Sequence, residues 1–318
     1  MEEHRPARVL VTGGAGFIGS HVVEQLAASG AAVVVVDDFR TSSRENLASV
    51  ASAVEVVEGD CSTAAALILE RGFDTVFHLA APAYVPPSVE DPVGDLRANV
   101  EQTLVMIAAM RAVTDKPRFV HVSSAAVYGQ PERQPIAEDA PIAPVSPYGV
   151  DKFAAEEHVR VASAIHGFPA VILRFFPVYG RRQTKQVVYD LIRKLMADPA
   201  RVEVYGTGAE LRDLCYVEDV ARATLVAARR APARGEAYNV GSGSMVSIAE
   251  VVEAVAAAMG AQPRIEFTGS VRPGDSLRMA ADVGALRALG YEPQVSFEDG
   301  IARTVAWVTD HVRQEARR

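Results

Sequence analysis

Six short apolar runs, several of them β-branched and without polar alternation, dominate the first half of the chain: Val9–Val11, Val33–Val36, Val54–Val57, Val76–Leu79, Phe119–Val122 and Val171–Leu173. Strands buried on both faces read this way, and polar-free runs of this kind are unusual in sheets with one wet face. Segments with i, i+3, i+4 apolar spacing fall between them, at Phe17–Ala28, Leu96–Met110 and Lys152–Ala164. Strands alternating with helices imply right-handed crossovers and a Rossmann-type, doubly wound parallel sheet of the α/β class. The chain has 318 residues, 49% of them hydrophobic and 23% charged, which is enough for one large domain or two closely joined ones and excludes a disordered composition.

The pattern changes after Arg174. A loop with Pro177 and Gly180 leads to a helix near Val187–Met196, and a further helix at Ile248–Met259 stops at Gly260. Tyr238–Val240, followed by Gly241-Ser242-Gly243, reads as another strand and turn. The expected organisation is therefore a cofactor domain of residues 1–175 completed by a strand near 236–243. A smaller, interleaved substrate-binding region would take residues 176–235 and 244–318. Trp307 is read as an apolar anchor of the final helix.

A net charge of -8 argues against a nucleic-acid partner, which would call for a basic face. Two cysteines, Cys61 and Cys215, form no paired motif, and no His/Cys/Asp/Glu spacing suggests a metal site. Reduced thiols, and the lack of an apolar stretch of the ~20 residues a span requires, lead to the expectation of a cytoplasmic protein without a membrane partner. His78 and His121 lie in or beside core strands and are read as structural.

Val9–Val11 runs through Thr12-Gly13-Gly14-Ala15-Gly16-Phe17-Ile18-Gly19 into the first helix. Glycines at 13, 16 and 19 suit a tight turn, close approach of backbone to a pyrophosphate, and a helix N-terminus facing the anion. Asp37 follows 24 residues after Gly13 at the end of the next strand, where an acid accepts bonds from an adenosine ribose and repels a 2′-phosphate. NAD is thus expected over NADP, with Arg40 and Arg44 as neighbours that would blunt the inference. Asp60 is placed either on the adenine amino group or in an ordinary turn. Tyr148 and Lys152, four apart at the start of a helix, share a face, and Ser123 and Ser124 close the strand before it. A phenol beside an ammonium is a usable base near neutral pH, and a serine beside it can bridge a proton.

With these residues the chain resembles the extended short-chain dehydrogenase/reductases, in particular the sugar-nucleotide epimerases and dehydratases. Further matches are His78-Leu79-Ala80-Ala81, Asn99, Val127-Tyr128-Gly129, Arg174-Phe175-Phe176-Pro177-Val178-Tyr179-Gly180, Arg212-Asp213, Tyr238-Asn239-Val240-Gly241 and Arg272-Pro273-Gly274-Asp275. The resemblance implies NAD against Gly13, Gly16, Phe17, Ile18, Gly19, Asp37, Asp60, Cys61, Ala80, Asn99, Tyr148 and Lys152. It also implies a nucleoside-diphosphate sugar, UDP-linked by preference, against Ser124, Pro177, Arg212, Arg272 and Asp275, and a homodimer. Arg212 and Arg272 would pair with the pyrophosphate, and Asp275 would orient an arginine or a ribose hydroxyl.

Such enzymes begin alike, with Tyr148 taking a sugar hydroxyl proton, usually at C4, to give a 4-keto sugar. Related 4,6-dehydratases carry Asp-Glu after the catalytic serine or threonine. Here Ala125-Ala126 follow, as in C4 epimerases, so epimerisation of a UDP-sugar is expected first. Pro177 replaces the usual Asn, and Pro86 and Pro87 stand in a segment expected to loop along the sugar pocket. These departures keep a 5,6-dehydration of a UDP-N-acetylhexosamine open, with Tyr148 serving twice or with Cys61, Cys215 or a nearby carboxylate assisting. A non-catalytic NAD-binding regulator is the third reading.

Overall fold

The structure, a computed structural model, describes residues 3–270 and 278–315. Six parallel strands follow the apolar runs: β1 (Arg8–Thr12), β2 (Ala32–Asp37), β3 (Val54–Glu58), β4 (Thr75–His78), β5 (Arg118–Ser124) and β6 (Ala170–Phe175). A seventh, Arg234–Val240, pairs in parallel with β6. The strand order is Arg234–Val240, β6, β5, β4, β1, β2, β3, so the winding reverses between β1 and β4. A crevice opens beyond the carboxyl ends of the strands at such a reversal, and ligands of open α/β sheets bind there.

The helices of the first half are α1 (Phe17–Ala28), α2 (Cys61–Glu70), α3 (Val85–Glu90), α4 (Pro92–Leu96), α5 (Gln102–Ala112) and α6 (Pro147–His166). Successive strand residues point to opposite faces. Val9, Val11, Val33 and Val35 pack with Val22, Val23 and Leu26 of α1, and the same cluster takes in the Val217–Arg230 helix. Leu10, Val34, Val36 and Val76 pack with Ile68 of α2, Met106 of α5 and Val159 of α6. Both faces of the central strands are covered, which is why β1, β2 and β4 show no polar alternation, whereas the edge strand β3 carries the exposed Glu55.

Several element limits differ from the sequence reading, each for a local reason. The expected helix Leu96–Met110 is divided: a π-helical turn covers Arg97–Glu101 before α5 begins, and its extra residue escapes a 3.6-residue count. α6 begins five residues before Lys152. Ser146 caps it by accepting a bond from Gly149 N at 3.1 Å, and Pro147 fills a first-turn position that needs no N–H partner. The segment with Pro86 and Pro87 is a loop only to Tyr84; from Val85 it is α3, with proline in the first turn. Trp307, on the Phe297–Glu315 helix, packs against the core and stacks on His311 with ring centroids 4.6 Å apart.

A buried polar knot ties α6 to the sheet. Arg174 of β6 donates to both carboxylate oxygens of Glu156, at 3.1 and 2.8 Å, and to the Tyr128 hydroxyl at 2.9 Å. Glu156 also accepts from Ser123, and Tyr128 donates to Asn239 Oδ1 at 2.7 Å. Glu156→Ala strands the Arg174 guanidinium in the interior, for which a loss of about 3–5 kcal/mol is expected. Chemical denaturation measures it, and a loss below about 1 kcal/mol would show that Arg174 finds water or another partner.

Candidate active site

The turn after β1 brings Gly13 against the segment after β4. Gly13 has φ +70°, and a Cβ there would lie 2.7 Å from Ala80 N, so both the turn and the close approach require glycine. Thr12 Oγ1 accepts from Ala80 N at 3.3 Å. Gly16 stands at the N-cap of α1 and supplies no side-chain cap, leaving the helix N-terminus to an outside anion. Phe17 and Ile18, half-buried in the first turn, anchor this end in the core.

Asp37, buried at the end of β2, clasps the glycine turn. Its carboxylate accepts from Ala15 N at 2.9 Å, Phe39 N at 3.0 Å and Ser42 Oγ at 2.6 Å. Arg40 pairs with Asp38 and Arg44 with Glu58, each at 2.6 Å. Both arginines are therefore engaged with acids of their own. Asp60 caps α2, accepting from Ser62 N at 2.9 Å and Thr63 N at 3.3 Å. Asn99 lies buried in the π-helical turn; its Nδ2 donates to Asp95 O at 3.2 Å, and its Oδ1 has no partner among the described residues.

Ser124, Tyr148 and Lys152 converge at the end of β5. Ser124 Oγ accepts from Ala126 N at 3.2 Å and lies near enough to the Tyr148 phenol to draw its pKa down. Lys152 Nζ donates to Val122 O at 3.0 Å and stands 5.9 Å from the Tyr148 ring centroid. Gly149 makes this possible: a Cβ there would lie 2.7 Å from Ala126 O, so the start of α6 can lie directly on the turn after β5. Ser88 of α3, which the sequence reading did not single out, accepts from Tyr148 N at 3.2 Å.

Burial pushes the Tyr148 phenol up to about 12, against the Ser124 hydroxyl that draws it down. Burial also lowers the Lys152 ammonium to about 8, while Asp95 and Glu156 hold it up. Without a further positive charge the phenol stays protonated at neutral pH.

His78 stands between Thr12 Oγ1 at 2.8 Å and Thr103 Oγ1 at 3.2 Å, tilted against His121. Burial, then Lys152, lowers its pKa to about 3, so it is neutral. Burial raises the Cys61 thiol to about 12, and the same holds for Cys215, whose Sγ lies 3.7 Å from Tyr291 Oη. Neither is a thiolate at physiological pH.

Arg212 sits in a two-residue strand, Leu211–Arg212, which pairs with Val246–Ser247 and with Arg278–Met279. Pro177 follows β6, and its carbonyl accepts from Cys215 N at 2.9 Å. Arg272 and Asp275 lie outside the described residues. Among the described residues no group of three or more His, Cys, Asp or Glu side chains is placed to hold a metal ion, and no helix is long and apolar enough to cross a membrane.

A model of the NAD dependent epimerase/dehydratase family matches residues 9–241. The chain belongs to this family. It is 37% identical to a UDP-glucose 4-epimerase of Azospirillum brasilense, over 94% of this chain and 91% of the relative. It is 36% identical to a dTDP-glucose 4,6-dehydratase of an Actinoplanes species, over 94% and 97%. The structure of Thermus thermophilus UDP-glucose 4-epimerase in complex with NAD superposes with a TM-score of 0.84 at 36% identity, covering 95% of this chain and 99% of that one. The protein is thus an NAD-dependent enzyme of sugar-nucleotide epimerase/dehydratase type, and the uncapped start of α1, the Gly13–Ala80 approach and the orphan Asn99 Oδ1 fit the cofactor.

The engaged arginines beside Asp37 lead to the expectation of tighter binding of NAD than of NADP. Asp37→Ala is expected to weaken NAD by about 1–3 kcal/mol, through the lost charged hydrogen bond and a loosened turn. Calorimetric titration with both cofactors checks this, and equal or tighter NADP binding contradicts it.

Proposed function

We propose that the protein epimerises a UDP-sugar at C4 through a transient 4-keto sugar, acting as a homodimer. The observation that carries this reading is the turn after Ser124. Ala125 is buried and Ala126 half-buried there, with no carboxylate at either position to take the C5 proton that a 4,6-dehydration must remove. Bound NAD supplies the acceptor and later the donor of the sugar's hydride. The chain's own residues handle the proton. Tyr148 accepts it from the C4 hydroxyl through or beside Ser124 Oγ, and Lys152 holds positive charge against the phenol as it ionises. The cofactor's own positive charge adds to that of Lys152 in bringing the phenol down from about 12. Small side chains at 125 and 126 leave room for the ketone to turn.

The residues from 176 to 235 and from 244 onward form the sugar-nucleotide side in this reading, with Arg212 and Arg272 on the pyrophosphate and Asp275 orienting one of them. Arginine's forked, permanent charge suits a diphosphate. A second reading, dehydration with internal return of the hydride, is favoured by Pro177 in place of an amide and by the dTDP-glucose 4,6-dehydratase relative.

Incubation with UDP-glucose and UDP-N-acetylglucosamine, followed by mass spectrometry, separates the two. Conserved mass with a changed sugar is expected; loss of one water would overturn epimerisation and support the second reading. Tyr148→Phe is expected to abolish the transient NADH absorbance while the sugar nucleotide still binds, and near-normal turnover in that variant removes Tyr148 from the chemistry. Arg212→Ala is expected to raise the dissociation constant of the UDP-sugar roughly tenfold or more, as for a lost charged hydrogen bond, while leaving NAD binding alone. Unchanged sugar-nucleotide affinity would place the pyrophosphate elsewhere.

A further inference from the structure

Two loops at the carboxyl ends of the strands meet near Tyr148, and the proposed reaction uses neither. One follows β4 and ends at Tyr84, the N-cap of α3. The other follows the short strand Val178–Tyr179, beyond β6, and carries Lys185. Lys185 Nζ stands 5.3 Å from the centroid of the Tyr84 ring, a separation at which an aromatic face attracts an ammonium. In the sheet β5 lies between β4 and β6. A contact between loops that leave β4 and β6 on the same side therefore spans the end of β5, where Ser124 stands.

Both loops are anchored. On the first, Ser88 lies one helical turn beyond Tyr84, and its Oγ accepts from Tyr148 N at 3.2 Å, so the Tyr84 end of α3 is tied to the proposed base. On the second, Gln183 is buried, and its Nε2 donates to Val178 O at 2.8 Å and to Gln186 Oε1 at 3.0 Å. Arg181 pairs with Glu218 and Arg182 with Glu24. The two basic neighbours are thus held by acids, whereas Lys185 turns to the ring. Arg182 and Gln186, on either side of it, have φ of 72° and 73°. Non-glycine residues keep such a conformation only where the surroundings over-determine it, and ligand clamps are among the places where it gathers.

We infer that Tyr84 and Lys185 form a latch between the cofactor side and the substrate side, and that as positioning residues they retain the 4-keto sugar until its hydride is returned. The inference rests on the proposed reaction. There the C4 hydride passes to bound NAD and the hydroxyl proton to Tyr148, and both must go back to the same ketone. A ketone that leaves early takes neither, and the cofactor stays reduced. A single ammonium on a ring face suits the task. It is weak enough to part for entry and release, and it draws together two loops that are otherwise fixed at their far ends.

A double-mutant cycle of Tyr84→Leu and Lys185→Met, on the full chain with NAD bound, tests the latch. In hydrogen exchange without sugar nucleotide, each single substitution is expected to speed exchange in both loops, over residues 82–90 and 181–187. The double variant is expected to exchange no faster than either single one, and Lys185→Arg, whose guanidinium also stacks on a ring, to stay near the unaltered rate. Faster exchange confined to the substituted loop, or effects that add, overturns the latch. For retention, a UDP-sugar is expected to dissociate about fivefold faster from each single variant in stopped flow. NADH is also expected to persist after incubation with UDP-glucose, where the unaltered chain returns to the oxidised spectrum. Unchanged dissociation, or weaker binding in Lys185→Met but not in Tyr84→Leu, overturns retention, the latter because Lys185 would then touch the sugar nucleotide itself. Failure of the proposed reaction shows separately, as an unaltered chain that forms no NADH with any UDP-sugar; it removes the ketone from the inference, while the exchange cycle still decides the latch.

Discussion

The attachment of α6 to the sheet by buried polar bonds is the constraint on which the candidate active site depends. Lys152 holds the carbonyl of Val122, Ser123 donates to Glu156, and Glu156 binds Arg174 on the adjacent strand. Apolar packing alone lets a helix slide by a fraction of a turn at small cost, because dispersion contacts are many and individually weak. Directional bonds at three successive points do not. They fix the phenol of Tyr148 relative to the hydroxyl of Ser124, and Gly149 removes the one obstacle to their meeting.

The same economy of position operates at the cofactor end. Asp37 acts on the protein before it acts on any ligand: it binds the backbone of the glycine turn at Ala15 and the loop after β2 at Phe39 and Ser42. Its charge is therefore preorganised, held in one orientation by donors that the protein itself supplies. Arg40 and Arg44, which in the sequence alone looked able to counter that charge, are drawn off by Asp38 and Glu58.

What could be read without coordinates was what depends on local pattern. β-branched runs buried on both faces announce a parallel sheet, and the Gly13, Gly16 and Gly19 spacing announces the turn into α1. Apolar periodicity alone begins at Lys152, whereas α6 starts at Pro147, where Ser146-Pro147 is itself a helix-start signal and Tyr148 falls in the first turn. The π-helical turn at Arg97–Glu101 has no signature in hydrophobic spacing. Pro86 and Pro87 suggested a loop where they open a short helix. The meeting of Ser123 with Glu156, and of Tyr128 with Asn239, joins segments distant in sequence, and nothing in either segment alone names the partner. Long-range polar pairs are set by topology, which the strand order supplies only once the fold is in hand.

The seventh strand, Arg234–Val240, has a consequence for synthesis. It pairs with β6, whose six residues are all buried, yet it is separated from that strand by the whole of the segment 176–233. Until residue 240 has left the ribosome, β6 is an open, apolar edge with unpaired backbone donors and acceptors, the kind of edge that recruits other chains. The nascent protein thus carries its greatest aggregation hazard once six of the seven strands of its central sheet are made, and a chain ended near residue 233 would keep that hazard permanently.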